Sequence, residues 1–165
     1  MNLTRSNWLR AALLALTLPL TQGVWAQTPP NPTHALPGTH TLPSTHSFST
    51  LVSRLEATVK QHKMGLVATA SASAGAAGRG IKIPGNAVLM VFRNDYAVRM
   101  LQASVPAGIE APIRFYVTEN ADGTASLTYR TPSAVFAPYA SATLNAMAAE
   151  LDPVFERIAH DATQP

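Results

Sequence analysis

The sequence contains no cysteine, and this absence excludes several kinds of chemistry. Disulfide bonds, thiolate metal centres and a cysteine nucleophile are all ruled out. Charged residues are also few, at 13% of the 165 residues. The fold must therefore be stabilised by the packing of apolar side chains, for which a chain of this length is large enough.

The first 26 residues predict a secretory signal peptide. They contain Arg5 and Arg10 but no acidic residue, then an apolar segment over residues 11–20, and they end at the small residue Ala26. The apolar segment is about half the ~20 residues that a membrane-spanning helix needs, and Pro19 interrupts it. We therefore expect an exported protein, periplasmic or secreted, without stable membrane insertion.

Removing this segment changes the charge of the chain. All 9 acidic residues follow residue 26, whereas two of the 12 Lys and Arg residues precede it. The remaining chain therefore has 10 basic and 9 acidic residues, a net charge of 10 − 9 = +1. A balance so close to neutral gives no indication of nucleic-acid binding.

Residues 27–45 are rich in Pro, Thr and His and show no apolar periodicity. They predict an extended linker whose last residues could join a sheet as an edge strand. An imperfect six-residue repeat places His34, His40 and His46 at equal intervals, which suggests metal binding as one hypothesis. A low-complexity tether is the alternative, because ordering a flexible chain around an ion is costly. No cofactor is predicted.

Residues 46–160 predict a single domain, followed by a frayed tail over residues 161–165. Apolar residues from Phe48 to Val59 recur at helical spacing. Ser47 or Ser49 is expected to cap this first helix, and Gly65 is expected to end it. The apolar run 87–92 predicts a central strand covered on both faces. Between them, residues 66–70 predict a short strand and residues 71–80 a mobile loop.

The clearest local prediction is a β-hairpin over residues 113–119 and 124–130. Apolar and polar residues alternate in its first strand, and Asp122-Gly123 supplies the turn. A short helix is predicted over residues 96–103, with Val98, Leu101 and Met100 facing inward and Asp95 as its cap. A long helix is predicted over residues 138–160, where Pro153 either kinks the helix or begins a second one. Its predicted buried stripe is Leu144, Met147, Leu151, Val154 and Ile158.

Together these elements predict the α+β class. We expect a mostly antiparallel sheet of four to five strands, with the first and last helices packed on one face.

The polar face of the hairpin provides the candidate ligand-binding residues Arg114, Tyr116 and Arg130, to which Arg93 is added after the central strand. Such a face suits a small anion or a second copy of the chain, and an ordinary solvated surface is the alternative. No catalytic residues are predicted, because no histidine lies in a recognisable arrangement with a nucleophile and an acid.

Several short motifs together resemble the domain-of-unknown-function 302 family over residues 46–160. The motifs are Gly65-Leu66-Val67, residues 80–84, residues 91–94, residues 111–114, and Asp122-Gly123 with Thr128-Tyr129. The resemblance implies a small α+β domain, often dimeric, without an established activity. Many members carry an Asp-His pair where this chain has Ser71 and Ala72, so any role of that pair is absent here. Likewise, the family's Phe-Gly-Asn-Pro is Phe-Arg-Asn-Asp at residues 92–95.

Three functions are consistent with these observations. The first is a non-enzymatic binding or protein-interaction module, as a homodimer or with a periplasmic protein partner. The second is a periplasmic metal-binding protein that uses the histidine repeat. The third is a binder of, or an enzyme for, a small anionic ligand at the arginines, which requires at least two of Arg93, Arg114 and Arg130 to converge.

Overall fold

The structure is a computed structural model that describes residues 35–165. Five strands form one sheet in the order β1-β5-β4-β3-β2, and every neighbouring pair is antiparallel. The strands are β1 Thr39–Ser47, β2 Gly65–Ala70, β3 Asn86–Phe92, β4 Ile113–Glu119 and β5 Thr124–Arg130. The predicted signal peptide and the first part of the predicted linker, with His34, lie outside the described residues.

The helices confirm the predicted α+β class. They are α1 Phe48–Gln61, α2 Ala72–Ala77, α3 Asn94–Ala103, α4 Pro132–Phe136 and α5 Ala142–Thr163, with 3-10 turns at Val105–Glu110 and Ala137–Tyr139. α1 and α5 pack against each other and cover one face of the sheet. The largest fully buried side chains between these layers are Phe115, Phe136, Phe155, Leu51, Leu55, Leu89, Leu127, Leu144 and Ile158. Within residues 35–165, no helix is both long and apolar enough to cross a membrane.

The hairpin is confirmed at both strands. Phe115 pairs with Tyr129 and Glu119 with Ala125, so the register follows from the four-residue turn. Gly123 has φ +83, a conformation that glycine adopts without strain.

The predicted central strand is wrong in two respects. β3 is the fourth strand of the sheet, and β4 lies at its centre. Its residues alternate between buried and half-buried, with Ala87, Leu89 and Val91 buried. The core therefore covers only one face of β3. The apolar run is unbroken because the side chains on the other, half-exposed face are apolar as well.

The edge strand predicted at the end of the linker is confirmed, and it includes residues 39–45, so the sheet begins earlier than residue 46. β1 pairs with β5 from Thr39 onward and forms one edge of the sheet. An edge position tolerates Pro43, since the missing N–H can face solvent. Thr131 N–H donates to the carbonyl of Gly38 at 2.8 Å, which fixes where the strand starts.

Two helix ends also differ from the prediction. Ser47 caps α1 as expected, but the helix ends at Gln61 and Lys63, not Gly65, adopts the positive φ of 58. The predicted tail is helical to Thr163, because Arg54 of α1 donates to the carbonyl oxygens of Asp161, Ala162 and Gln164.

The last helical region is divided differently from the prediction. α4 and a 3-10 turn precede α5, and Ala140 with φ 50 separates them. Pro153 lies inside α5, and Asp152 accepts a hydrogen bond from Ser133 N–H at 2.9 Å instead of capping a second helix.

Single positions on α5 and α3 differ as well. Phe155 is fully buried, whereas the predicted Val154 is only partly buried. In α3, Met100 is buried, but Val98 and Leu101 are each 46% exposed. Asp95 does not cap α3, whose N-cap residue Arg93 makes no side-chain capping bond.

Residues 72–77 of the predicted mobile loop form α2. Ser71 caps this helix by accepting from Ala74 N–H at 3.1 Å. The small residues that suggested a loop are equally compatible with a short, alanine-rich helix.

Candidate functional site

The open face of the sheet, opposite α1 and α5, carries the polar side chains that were predicted for the hairpin. Arg114 and Tyr116 of β4 are exposed, while their neighbour Phe115 is fully buried. In β5, Thr128 and Arg130 are half-buried and lie on the same face, since Tyr116 pairs with Thr128. Strand alternation thus separates a binding face from the core.

Arg114 and Arg130 lie opposite each other on adjacent strands, next to the Phe115–Tyr129 pair. Both line one concavity of about 350 Å³, which we call the arginine concavity. Its other lining residues are Leu36, Thr39, Val88, Glu110, Ile113, Tyr116, Thr128, Tyr129 and Val135. Its size falls within the range of small-ligand pockets in proteins.

Neither of these arginines forms an ion pair with a carboxylate. Among the residues that the structure describes, the ion pairs are His62–Asp161, Arg93–Asp95, Arg99–Glu150 and His160–Asp161. Like charges on neighbouring strands are unfavourable unless a counter-charge approaches them. The concavity therefore favours an anion.

Backbone groups outside the hairpin hold Arg130 in place. Its Nη2 donates to the carbonyl of Ala134 at 3.0 Å, and its Nε donates to that of Pro37 at 3.4 Å. The hydroxyls of Thr41 and Thr128 share a hydrogen bond of 2.9 Å. These contacts fix one guanidinium and one pair of hydroxyls before any ligand arrives, which lowers the ordering cost of binding.

The rest of the wall is apolar except for one carboxylate. Leu36, Val88, Ile113 and Val135 provide the apolar side chains. Glu110 ends a 3-10 turn and accepts a hydrogen bond from the hydroxyl of Tyr139 at 3.0 Å. Desolvation and this hydrogen bond raise the pKa of Tyr139, so Tyr139 keeps its proton and remains a donor to Glu110 at neutral pH.

Arg93 is not part of the arginine concavity. Its guanidinium donates two hydrogen bonds to Asp95, at 2.7 and 3.1 Å, and lies 4.3 Å from the ring centroid of Tyr96. The hydrogen bond from Arg93 lowers the pKa of Asp95, as expected for a charge-assisted pair. Arg93 therefore does not converge with Arg114 and Arg130, and its charge is paired with Asp95.

Residues 40–161 match the family described as "Domain of unknown function DUF302". The chain belongs to the DUF302 family. Its fold is similar to that of an uncharacterized conserved DUF302 protein from Bacillus stearothermophilus, seen in a crystal structure. The two share 18% sequence identity and a TM-score of 0.69, over 76% of this chain and 98% of the other. No curated protein matches the sequence.

The histidine repeat takes two separate positions in this DUF302 domain. The ring of His40 stacks on Tyr129 at 5.5 Å between centroids, and Nε2 of His46 donates to the carbonyl of Gln164 at 2.7 Å. Six residues of extended strand separate the two Cα atoms by about 20 Å. Across residues 35–165, no three His, Asp or Glu side chains are grouped to hold a metal ion. Metal binding stays a prediction that depends on His34.

The position of the family's Asp-His pair has a structural role in this chain. Besides capping α2, Ser71 shares a 3.0 Å hydrogen bond with the hydroxyl of Ser73. Ser73 Oγ in turn accepts from Asn86 N–H at 3.1 Å. These contacts tie α2 to the start of β3.

Sequence reasoning missed several residues of the concavity, of which Glu110 is the most informative. It ends the 3-10 turn Val105–Glu110, and no sequence pattern marks it. Leu36 and Val135 were missed for the same reason: only tertiary packing brings them next to β4 and β5. The Arg and Tyr residues were found because strand alternation is visible in the sequence.

Proposed function

We propose that this DUF302 protein is an exported, non-enzymatic binding module that holds a small anionic ligand in the arginine concavity. One observation carries this proposal: Arg114 and Arg130 line the same concavity, and neither forms an ion pair. A carboxylate or phosphate could accept hydrogen bonds from both guanidinium groups, and such charge-assisted bonds are about twice as strong as neutral ones.

Recognition is better supported than catalysis at this site. The residues that line the concavity include no histidine and a single carboxylate, Glu110. General acid–base catalysis needs a group whose pKa lies near the working pH and which is within reach of the substrate. The cations, hydroxyls and apolar wall instead provide binding energy and orientation.

Export is supported by the pattern of residues 1–26, with its two arginines, short apolar segment and terminal Ala26. A cysteine-free domain also suits an oxidising compartment, because it cannot form incorrect disulfides there. N-terminal sequencing of the protein recovered from a periplasmic extract tests this part, and an intact Met1 would contradict it.

The first test is native mass spectrometry of the exported protein purified without chelator, which detects a ligand that the protein retains. The apo form is then titrated with 3-phenylpropionate and with inorganic phosphate to measure the affinity for each anion. Arg114→Gln and Arg130→Gln should each weaken binding of the preferred anion at least tenfold, about the free energy of one hydrogen bond to a charged group. Arg157→Gln is the matched control, since it removes the same charge from the exposed side of α5. Equal affinity in all three variants would contradict an arginine site.

A homodimer is the second candidate, and the exposed edge strand β2 favours it. All six residues of Gly65–Ala70 are exposed and uncharged, including Val67 at 54%. An unprotected edge strand can pair with the same strand of a second copy. Sedimentation analysis should show a dimer that Val67→Lys converts to monomer, whereas Val105→Lys, at an exposed apolar position elsewhere, should leave it intact. A monomeric wild-type protein would refute this candidate.

A further inference from the structure

Glu110 gives the arginine concavity a second charge of opposite sign. Its carboxylate lines the same concavity as Arg114 and Arg130, yet it forms no ion pair with either. The charged atoms are thus more than 4.0 Å apart, the limit for such a pair. A ligand that enters the concavity can therefore approach the acid and the two bases without breaking an ion pair between them.

A hydrogen bond from Tyr139 fixes the orientation of the Glu110 side chain. Tyr139 donates to its Oε1 at 3.0 Å, and the two residues belong to different 3-10 turns, Val105–Glu110 and Ala137–Tyr139. A carboxylate accepts about four hydrogen bonds, so one bond from Tyr139 leaves most of its capacity for a ligand. No Lys, Arg or His of residues 35–165 takes up that capacity as an ion pair.

An apolar surface lies beside these charged groups. Leu36 is 63% exposed and Tyr116 is 41% exposed, and both line the concavity with Val88 and Val135. Exposed apolar side chains grouped around a few convergent charges are typical of sites that bind an amphiphilic small molecule. A plain inorganic anion would leave this apolar surface unused.

Building on the proposed anion site, we infer that the ligand of the arginine concavity is an amphiphilic zwitterion, such as an apolar amino acid or a related compound. Its carboxylate binds Arg114 and Arg130, its ammonium group binds Glu110, and its apolar part covers Leu36 and Tyr116. The ammonium group distinguishes this ligand from a simple organic anion, which Glu110 repels.

Calorimetric titration of the full-length processed protein with three probes tests the inference. The probes are L-phenylalanine, 3-phenylpropionate, which lacks the ammonium group, and 2-phenylethylamine, which lacks the carboxylate. Wild-type protein should bind L-phenylalanine at least tenfold more tightly than either other probe, the factor that corresponds to one charge-assisted hydrogen bond. This comparison needs no variant and therefore does not depend on the folding of one.

Glu110→Gln should reverse the preference between the two acids. The amide keeps the shape of the side chain but removes its charge, so L-phenylalanine should bind about tenfold more weakly. 3-Phenylpropionate should bind more tightly, because the repulsion of its carboxylate by Glu110 is lost. Glu56→Gln, at an exposed position of α1, is the matched control and should change neither affinity.

The outcomes separate this inference from the proposed function. If wild-type protein binds 3-phenylpropionate as tightly as L-phenylalanine, or if Glu110→Gln changes both affinities alike, the zwitterion is overturned and the anion site stands. If neither carboxylate probe nor phosphate binds the wild-type protein, or if Arg114→Gln leaves the affinity of a bound probe unchanged, the anion site itself is wrong.

Discussion

Replacing Phe155 by alanine tests the packing between α5 and the sheet that supports the arginine concavity. The ring of Phe155 is fully buried. It stacks on Phe115 with 4.9 Å between centroids and lies 6.4 Å from Tyr129. These two residues form the strand pair next to Arg114 and Arg130, so the contact joins the core to the strands that carry both arginines.

The expected loss follows from the size of the side chain and its contacts. Truncation of a buried phenylalanine to alanine costs about 3–5 kcal/mol, of which the aromatic contacts account for about 0.5–1.5 kcal/mol. Since domains of this kind are stable by about 5–15 kcal/mol, Phe155→Ala should remove a large share of the free energy of unfolding. Val154→Ala is the control: its side chain is only partly buried, and it should cost about 1 kcal/mol.

Urea unfolding monitored by circular dichroism measures both changes. The midpoint of Phe155→Ala should fall far below that of Val154→Ala, while the slope of the transition stays constant if both variants unfold in two states. A Phe155→Ala loss below about 1.5 kcal/mol, or a larger loss for Val154→Ala, would refute the assignment of Phe155 to the core.

Two further predictions concern the two ends of the domain. Gly38→Ala should destabilise the domain by about 1–3 kcal/mol in the same urea assay, because a Cβ at this φ of +72 would overlap the Cβ of Ala134. Gly123→Ala, whose φ is +83 and whose Cβ would meet no atom within 4 Å, should cost less; equal losses would show that φ alone matters. Hydrogen bonds from His62 and then His160 lower the pKa of Asp161, so its contribution to stability is complete above the unfolded-state pKa of about 3.9 and disappears as pH falls through the lower folded value. Thermal melts of wild type and Asp161→Asn should therefore differ at pH 6 and converge as the pH falls through the lowered pKa of Asp161; a constant difference would contradict this.

The hairpin and the first helix could be read from the sequence because their determinants are local. Alternation from Ile113 to Val117 and the Asp122-Gly123 turn fix the register between β4 and β5. Contacts with residues far away in the sequence are not needed to set it. Ser47 likewise caps α1 through a bond to Thr50, three residues away. Predictions were less complete where the partner is distant. The sequence indicated an edge strand at the end of the linker, but pairing with β5 decides that it begins at Thr39. The predicted frayed tail is helical, because Arg54 of α1 donates to the carbonyl groups of Asp161 and Ala162.

Part of the candidate site was predictable for the same reason. Arg114, Tyr116 and Arg130 belong to two strands joined by one short turn, so alternation places them together. Arg93 lies outside the concavity because it follows β3 and does not belong to the hairpin, a placement that depends on how β3 pairs with β4.

The sequence by itself determined the α+β class, the family, the hairpin and the polar face that bears two arginines. These features depend on residue periodicity and turn chemistry, which act over a few residues. Only the tertiary structure decided that β4 is central, that β3 has one covered face, and that Leu36, Val135 and Glu110 complete a concavity around the arginines. Contacts between residues far apart in sequence depend on how whole elements pack against one another, and no local pattern encodes that arrangement.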